Sequence, residues 1–223
     1  MRCRLCSSDS TLPRLAGGLE YRDCPDCGYI GLAPRHWPSR AEEEARYRLH
    51  RNDPAEPGYR AYLGAFAELA LEPFLGPGAR ILDFGSGPVP ALSLLLAERG
   101  FAARPYDPFF APGSSWRRRS WEAIVLHEVA EHLRSPGRTL AALARRLAPG
   151  GILAVRTRFP PEDPAGFESW WYRRDSTHLG FWRPESFSRL ARDTGLELAL
   201  VREPDLAVLR AATGSAGRGS ISS

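Results

Sequence analysis

Cys3-x-x-Cys6 and Cys24-x-x-Cys27 form two matched pairs with the seventeen residues 7–23 between them. Each pair can curl into a tight turn that presents two thiolates, and two such turns close a tetrahedral shell of the kind that binds zinc. Pro25 and Gly28 suit the second turn. A shell of four thiolates leaves no open position, so the zinc expected on Cys3, Cys6, Cys24 and Cys27 is structural. A stretch this short has little core of its own, and metal binding would contribute much of its folding free energy. Disulfides and a redox pair are the alternatives. A reducing compartment disfavours the first, and a single redox pair needs no matched partner.

A second constellation is Asp83-Phe84-Gly85-Ser86-Gly87-Pro88, between a strand-like and a helix-like segment. Gly85 and Gly87 let the backbone turn sharply and approach a ligand closely, and the helix start beyond them offers amide donors. Asp107, twenty residues after Gly87, ends the next expected strand, where a carboxylate can accept from both ribose hydroxyls of an adenosine. A dinucleotide oxidoreductase is the rival reading of a Gly-x-Gly turn. Two features count against it. A carboxylate at Asp83 favours a cationic sulfonium cofactor with a free amino group over a pyrophosphate, and the third glycine of the dinucleotide pattern falls at Pro90.

Glu128, Glu131 and His132 form the third. On a helix they occupy positions i, i+3 and i+4 of one face. They follow the end of an expected strand, where open α/β sheets bind ligands. Two carboxylates and an imidazole can hold a divalent cation, with His178 as a fourth ligand; equally, Glu131 and His132 can bond the helix start and shape a pocket wall. His127 is expected beside the cofactor. The segment 167–182 carries Phe167, Trp170, Trp171, Tyr172, Phe181 and Trp182. It reads either as a substrate lid or as a satellite core, with Arg173 and Arg174 suited to a flat or anionic substrate.

The elements that must position these groups are legible as an alternation. Strands are expected over 80–84, 101–106, 122–126, 152–157, 196–201 and 206–210, with helices over 90–99, 135–147 and 184–194. Apolar strands alternating with helices imply an α/β fold, a doubly wound and mostly parallel sheet; the last two strands suit an antiparallel edge. Ser39 reads as an N-cap before Glu42, Glu43 and Glu44. The resulting organisation is a zinc-binding module over 1–38, a helical linker or cap over 39–78, the main domain over 79–210 and a disordered tail over 211–223.

The main domain resembles the class I S-adenosylmethionine (SAM) dependent methyltransferases, particularly the group similar to ubiquinone-biosynthesis O-methyltransferases. The resemblance rests on Ile81-Leu82-Asp83-Phe84-Gly85-Ser86-Gly87, Tyr106-Asp107-Pro108, Glu128-Val129-Ala130-Glu131-His132-Leu133, Leu147-Ala148-Pro149-Gly150-Gly151 and Asp175-Ser176-Thr177-His178. It implies a Rossmann-like methyltransferase fold, with Asp83, Gly85 and Gly87 on the methionine part of SAM and Asp107 on its ribose. Glu128-x-x-Glu131-His132 resembles an arrangement that some small-RNA 2′-O-methyltransferases and quinone O-methyltransferases use to hold a divalent metal. One departure stands out. Family members usually carry another strand between the ribose acid and the strand at Ile124, with an acidic residue on the adenine. Here only 108–120 intervene, rich in Pro, Gly, Ser and Arg.

Composition narrows the field. The chain has 223 residues and a formal net charge of +4, and its basic clusters, such as Arg117-Arg118-Arg119 and Arg145-Arg146, are short enough to be solvated faces. No apolar run reaches the length of a membrane span, and the start lacks the apolar stretch of a signal peptide, so a cytoplasmic setting is expected. The expected activity is methyl transfer from SAM to a small-molecule or metabolite acceptor. The alternatives are an RNA methyltransferase that docks through the zinc module and a non-catalytic SAM-binding or zinc adaptor protein.

Overall fold

The computed structural model describes residues 2–49 and 52–214. Two sheets organise them. The larger has six strands in the order β5-β4-β6-β7-β10-β9, formed by β4 (Arg80–Phe84), β5 (Ala102–Tyr106), β6 (Trp121–His127), β7 (Leu147–Arg156), β9 (Glu197–Arg202) and β10 (Leu206–Arg210). β5, β4, β6 and β7 run parallel; β10 pairs antiparallel with β7 and β9. This is the Rossmann-like methyltransferase fold with its antiparallel edge.

Strand alternation splits the apolar residues between two faces. Ile81, Ala123, Val125, Ile152, Ala154 and Val208 join α2 (Pro57–Ala70) and α3 (Ala91–Glu98) on one side. Leu82, Ile124, Leu126, Leu153, Val155 and Leu209 join α4 (Pro136–Ala144) and the helix Pro184–Thr194 on the other. Each start is locally encoded. Pro57, Pro136 and Pro184 stand in first turns, where a missing N–H costs nothing. Before α1 (Arg40–Tyr47), Ser39 accepts from the Glu42 N–H while the Glu42 carboxylate accepts from the Ser39 N–H, a reciprocal capping box.

The second sheet is antiparallel, in the order β1-β2-β3-β8, and comprises β1 (Leu12–Ala16), β2 (Leu19–Asp23), β3 (Ile30–Leu32) and β8 (Gly180–Phe181). Its last strand thus comes from the far end of the chain. Beneath it Ala16, Tyr21, Ile30 and Leu32 pack with Phe167, Trp170, Tyr172 and Phe181. Of the tail expected from Ala211, residues 215–223 lie outside the described residues. Ala211 donates to the Gly151 carbonyl, and Ala212 accepts from the Gly150 N–H.

Two local expectations need correction. The residues from Glu128 to His132 do not form an α-helix. Glu128 is in the left-handed region at φ 56°, its N–H donating to the Arg156 carbonyl, and only Ala130–His132 make a single 3-10 turn. β7 also begins at Leu147, ahead of the expected turn, because Leu147 pairs with Trp121 before the register shifts. The helix before it accordingly stops at Ala144.

Candidate active site

The four cysteine Sγ atoms lie within 4.8 Å of one another, with Cys3–Cys27 and Cys6–Cys24 each 3.6 Å apart. Tetrahedral Zn–S bonds of about 2.3 Å give S···S edges of about 3.8 Å, whereas a disulfide would need about 2.05 Å; none of the cysteines is bridged. Each Cys-x-x-Cys turn closes on backbone bonds, Ser7 N–H to Cys3 O and Gly28 N–H to Cys24 O, and ends in a left-handed residue, Ser7 or Gly28. The donor set and spacing fit zinc. The shell is tied to the main domain: the Arg4 carbonyl accepts from Gly137 N–H, and its guanidinium donates to the Leu133, Arg134 and Leu179 carbonyls.

A cavity of about 840 Å³ opens at the C-terminal ends of β4, β5 and β6. Asp83, Gly85, Gly87 and Asp107 line it. Gly85 N–H and Ser86 N–H both donate to the Tyr106 carbonyl, which folds the turn against β5. Gly85 has φ 90°, and a Cβ there would meet Val129 at 2.6 Å, so glycine is required by conformation and by space. Asp107 accepts from Gly87 N–H at 3.0 Å through Oδ2, and from Phe109 N–H and Phe110 N–H through Oδ1. Asp83 is buried and accepts from Ser93 Oγ at 2.8 Å; burial pushes its carboxyl up to about 6. Ser86 Oγ and His127 Nε2 are buried with no hydrogen-bond partner among the described residues, which fits a polar ligand in this wall. His127 stands edge-on to the Tyr62 and Phe66 rings. Burial, helped by Arg156, holds it neutral, down to about 3.

The same cavity is lined by Glu128, Glu131, His132 and His178, although not by the helical spacing expected. Glu131, His132 and His178 each offer a ligand atom within 4.8 Å of the others; Glu128 is not in that group. His132 Nδ1 donates to the Thr177 carbonyl at 2.9 Å and His178 Nδ1 to the Tyr172 carbonyl at 2.7 Å. A carbonyl only accepts, so in the neutral rings both protons sit on Nδ1 and both lone pairs on Nε2. Glu131 is fully buried, and its Oε2 has no hydrogen-bond partner among the described residues. These features fit a divalent cation held by Glu131, His132 and His178.

Two tyrosines complete this group, and their ring character alone did not signal it. Tyr62 Oη donates to Glu128 Oε1 at 3.0 Å, and Tyr172 Oη lies 2.9 Å from Glu128 Oε2. Burial raises both Glu128 and Glu131 to about 7, and at Glu128 the nearby Glu131 charge adds to the rise. The aromatic segment is mainly core: Phe167, Trp170, Tyr172, Phe181 and Trp182 are buried. Trp171 is the exception, 63% exposed and lining the cavity. Arg173 is buried against the Phe167, Glu168 and Ala16 carbonyls, so only Arg174 of the pair reaches the cavity wall.

Over residues 55–201 the chain matches the methyltransferase domain family, and it belongs to that family. Comparison with curated proteins finds no match. Among solved structures it is similar to an O-methyltransferase family protein from Burkholderia thailandensis (TM-score 0.56, 13% identity, 77% of this chain and 63% of that one). It is also similar to a chain of the complex between the Haloferax volcanii Trm112 methyltransferase activator and a methyltransferase (0.57, 18%, 78% and 100%). A third is CalO1, a methyltransferase in calicheamicin biosynthesis, in its SAH-bound form (0.51, 18%, 78% and 59%). The chain thus spans about three fifths of the first and third of these. Among the described residues no helix is long and apolar enough to cross a membrane.

Proposed function

We propose that this chain is a SAM-dependent methyltransferase acting on a hydroxyl of a small-molecule acceptor, with structural zinc on its four cysteines. The observation that carries the reading is one cavity of about 840 Å³ lined both by the Asp83–Asp107 cradle and by the cluster of Glu131, His132 and His178. Membership of the methyltransferase domain family and the likeness to an SAH-bound methyltransferase support the cofactor.

When bound, SAM supplies an electrophilic methyl group on a cationic sulfonium. Asp83 would hold its amino group, the Gly85–Gly87 turn its methionine part and Asp107 its ribose hydroxyls. Such fixing supplies much of the rate of an in-line displacement. At the acceptor, Nε2 of His132 or His178 would take the hydroxyl proton. A divalent cation on Glu131, His132 and His178 would instead favour the ionised hydroxyl near neutral pH. Trp171 and Arg174 would border the acceptor's entry. The test is incubation of the purified protein and labelled SAM with cell extract fractionated into metabolites, RNA and protein. Label in the metabolite fraction is expected; label confined to RNA would replace the acceptor assignment, and no SAM binding would overturn the activity.

A further inference from the structure

The cofactor cradle lacks the part that ordinarily reads a purine edge. β5 is the outer strand of the six-stranded sheet, and 108–120 adds no strand beyond it. No acidic residue occurs between Asp107 and Glu122, and the Glu122 carboxylate is bound to Arg80 at the opposite end of the strands. The remaining carboxylates that line the cavity are committed. Glu43 pairs with Arg134, Asp175 with Arg46, Asp83 with Ser93, and Glu128 with two tyrosines; Glu131 belongs to the cluster with His132 and His178.

What occupies the corresponding place is aromatic. Oδ1 of Asp107 accepts from both Phe109 N–H and Phe110 N–H, so the carboxylate proposed for the ribose also fixes the turn that displays these rings. Both are half-buried and line the cavity. Each is braced from α1 or its C-cap: the Arg40 guanidinium lies 4.7 Å from the Phe109 centroid, Arg48, the C-cap, lies 5.3 Å from that of Phe110, and Tyr47 meets Phe109 edge-on. Apolar ring surface left facing a cavity, beside a ribose anchor, suits a flat heterocycle, because every base has a π-face irrespective of its edge.

We propose that the purine of the cofactor is held by stacking on Phe109 and Phe110 and that its amino edge is not read. The inference rests on the SAM reading above, and binding measurements separate the two. Calorimetry would compare S-adenosylhomocysteine with its inosine analogue, which carries a carbonyl oxygen in place of the six-amino group. The wild-type protein is expected to bind both within about threefold. Phe109→Leu should weaken both about tenfold, the scale of one lost stacking contact. Phe109→Trp, which keeps a π-face, should stay within about threefold of wild type, and matched thermal melts would show that the variants fold. A thirtyfold preference for the adenine compound would overturn the unread edge. Wild-type affinity in the Phe109→Leu, Phe110→Leu double variant would overturn the stacking and leave the SAM assignment standing. Failure of folded wild-type protein to bind S-adenosylhomocysteine would remove both.

Discussion

The Tyr172 hydroxyl lies 2.5 Å from Glu131 Oε1, and both side chains are buried. Glu128 Oε2 is 2.9 Å from the same hydroxyl. A phenol has one proton to donate, so two acids compete for it, and burial has already raised each to about 7. Tyr172→Phe leaves at least one carboxyl without its donor. We expect a loss of about 1–3 kcal/mol in stability, at least a tenfold fall in kcat and SAM affinity within about twofold. Thermal melts, calorimetry and steady-state kinetics would check this; unchanged kcat would remove Tyr172 from the acceptor site.

Asp83 gives a pH dependence with a definite sign. Its carboxyl titrates at about 6 because it is buried. A cationic ligand gains from the ionised form, so SAM affinity should be full well above pH 6 and decline as pH falls through that value. One proton limits the decline to about tenfold per pH unit. Asp83→Asn should bind weakly with a flat profile. A wild-type affinity that rises on acidification would contradict the role.

The two histidines separate the versions of acceptor activation. If Glu131, His132 and His178 hold a divalent ion, chelation should abolish turnover and added Mg²⁺ or Mn²⁺ should restore it. If an imidazole takes the proton directly, chelator leaves turnover intact. Either way His178→Ala should lower kcat far more than SAM affinity. Full activity in the His132→Ala, His178→Ala double variant would leave positioning alone as the mechanism.

Metal analysis under reducing conditions should give about one zinc per chain. Cys24→Ser should lower the melting temperature of the whole protein and not of a detached segment, because Cys3, Cys24, Cys27 and Tyr29 share a continuous core with Trp182, Phe187 and Leu126. Four reactive thiols with no metal in the native protein would reject the site.

The sheet was legible where side-chain pattern alone decides structure. The apolar runs at Ile81-Leu82 and Ile124-Val125-Leu126 need burial on two faces, and 206–210 is a strand at those same bounds. Ser39 and Pro184 mark helix starts by chemistry that acts within one turn. Glu128 escaped such reading because its left-handed backbone is fixed by the Arg156 carbonyl on a neighbouring strand, a contact with no local signature. Glu131, His132 and His178 do meet, but the 3-10 turn and two carbonyls that aim the imidazoles bring them together, not a shared helical face. The aromatic run left a lid and a satellite core both open, and no local signal named its packing partner, the N-terminal sheet.

That sheet owes its fourth strand to Gly180–Phe181, a few residues from His178, and Gly180 is seated so closely on Tyr29 that an added Cβ would fall 1.7 Å from its hydroxyl. Grafting residues 1–38 onto another methyltransferase would therefore transfer a fragment, since its closing strand and the glycine that admits Tyr29 stay behind. Conversely, a chain begun at Ser39 would expose the backbone edge of β8 beside the very loop that orients His178. Shortening this protein from its N-terminus is thus an operation on the loop that carries His178, carried out from the opposite end of the sequence.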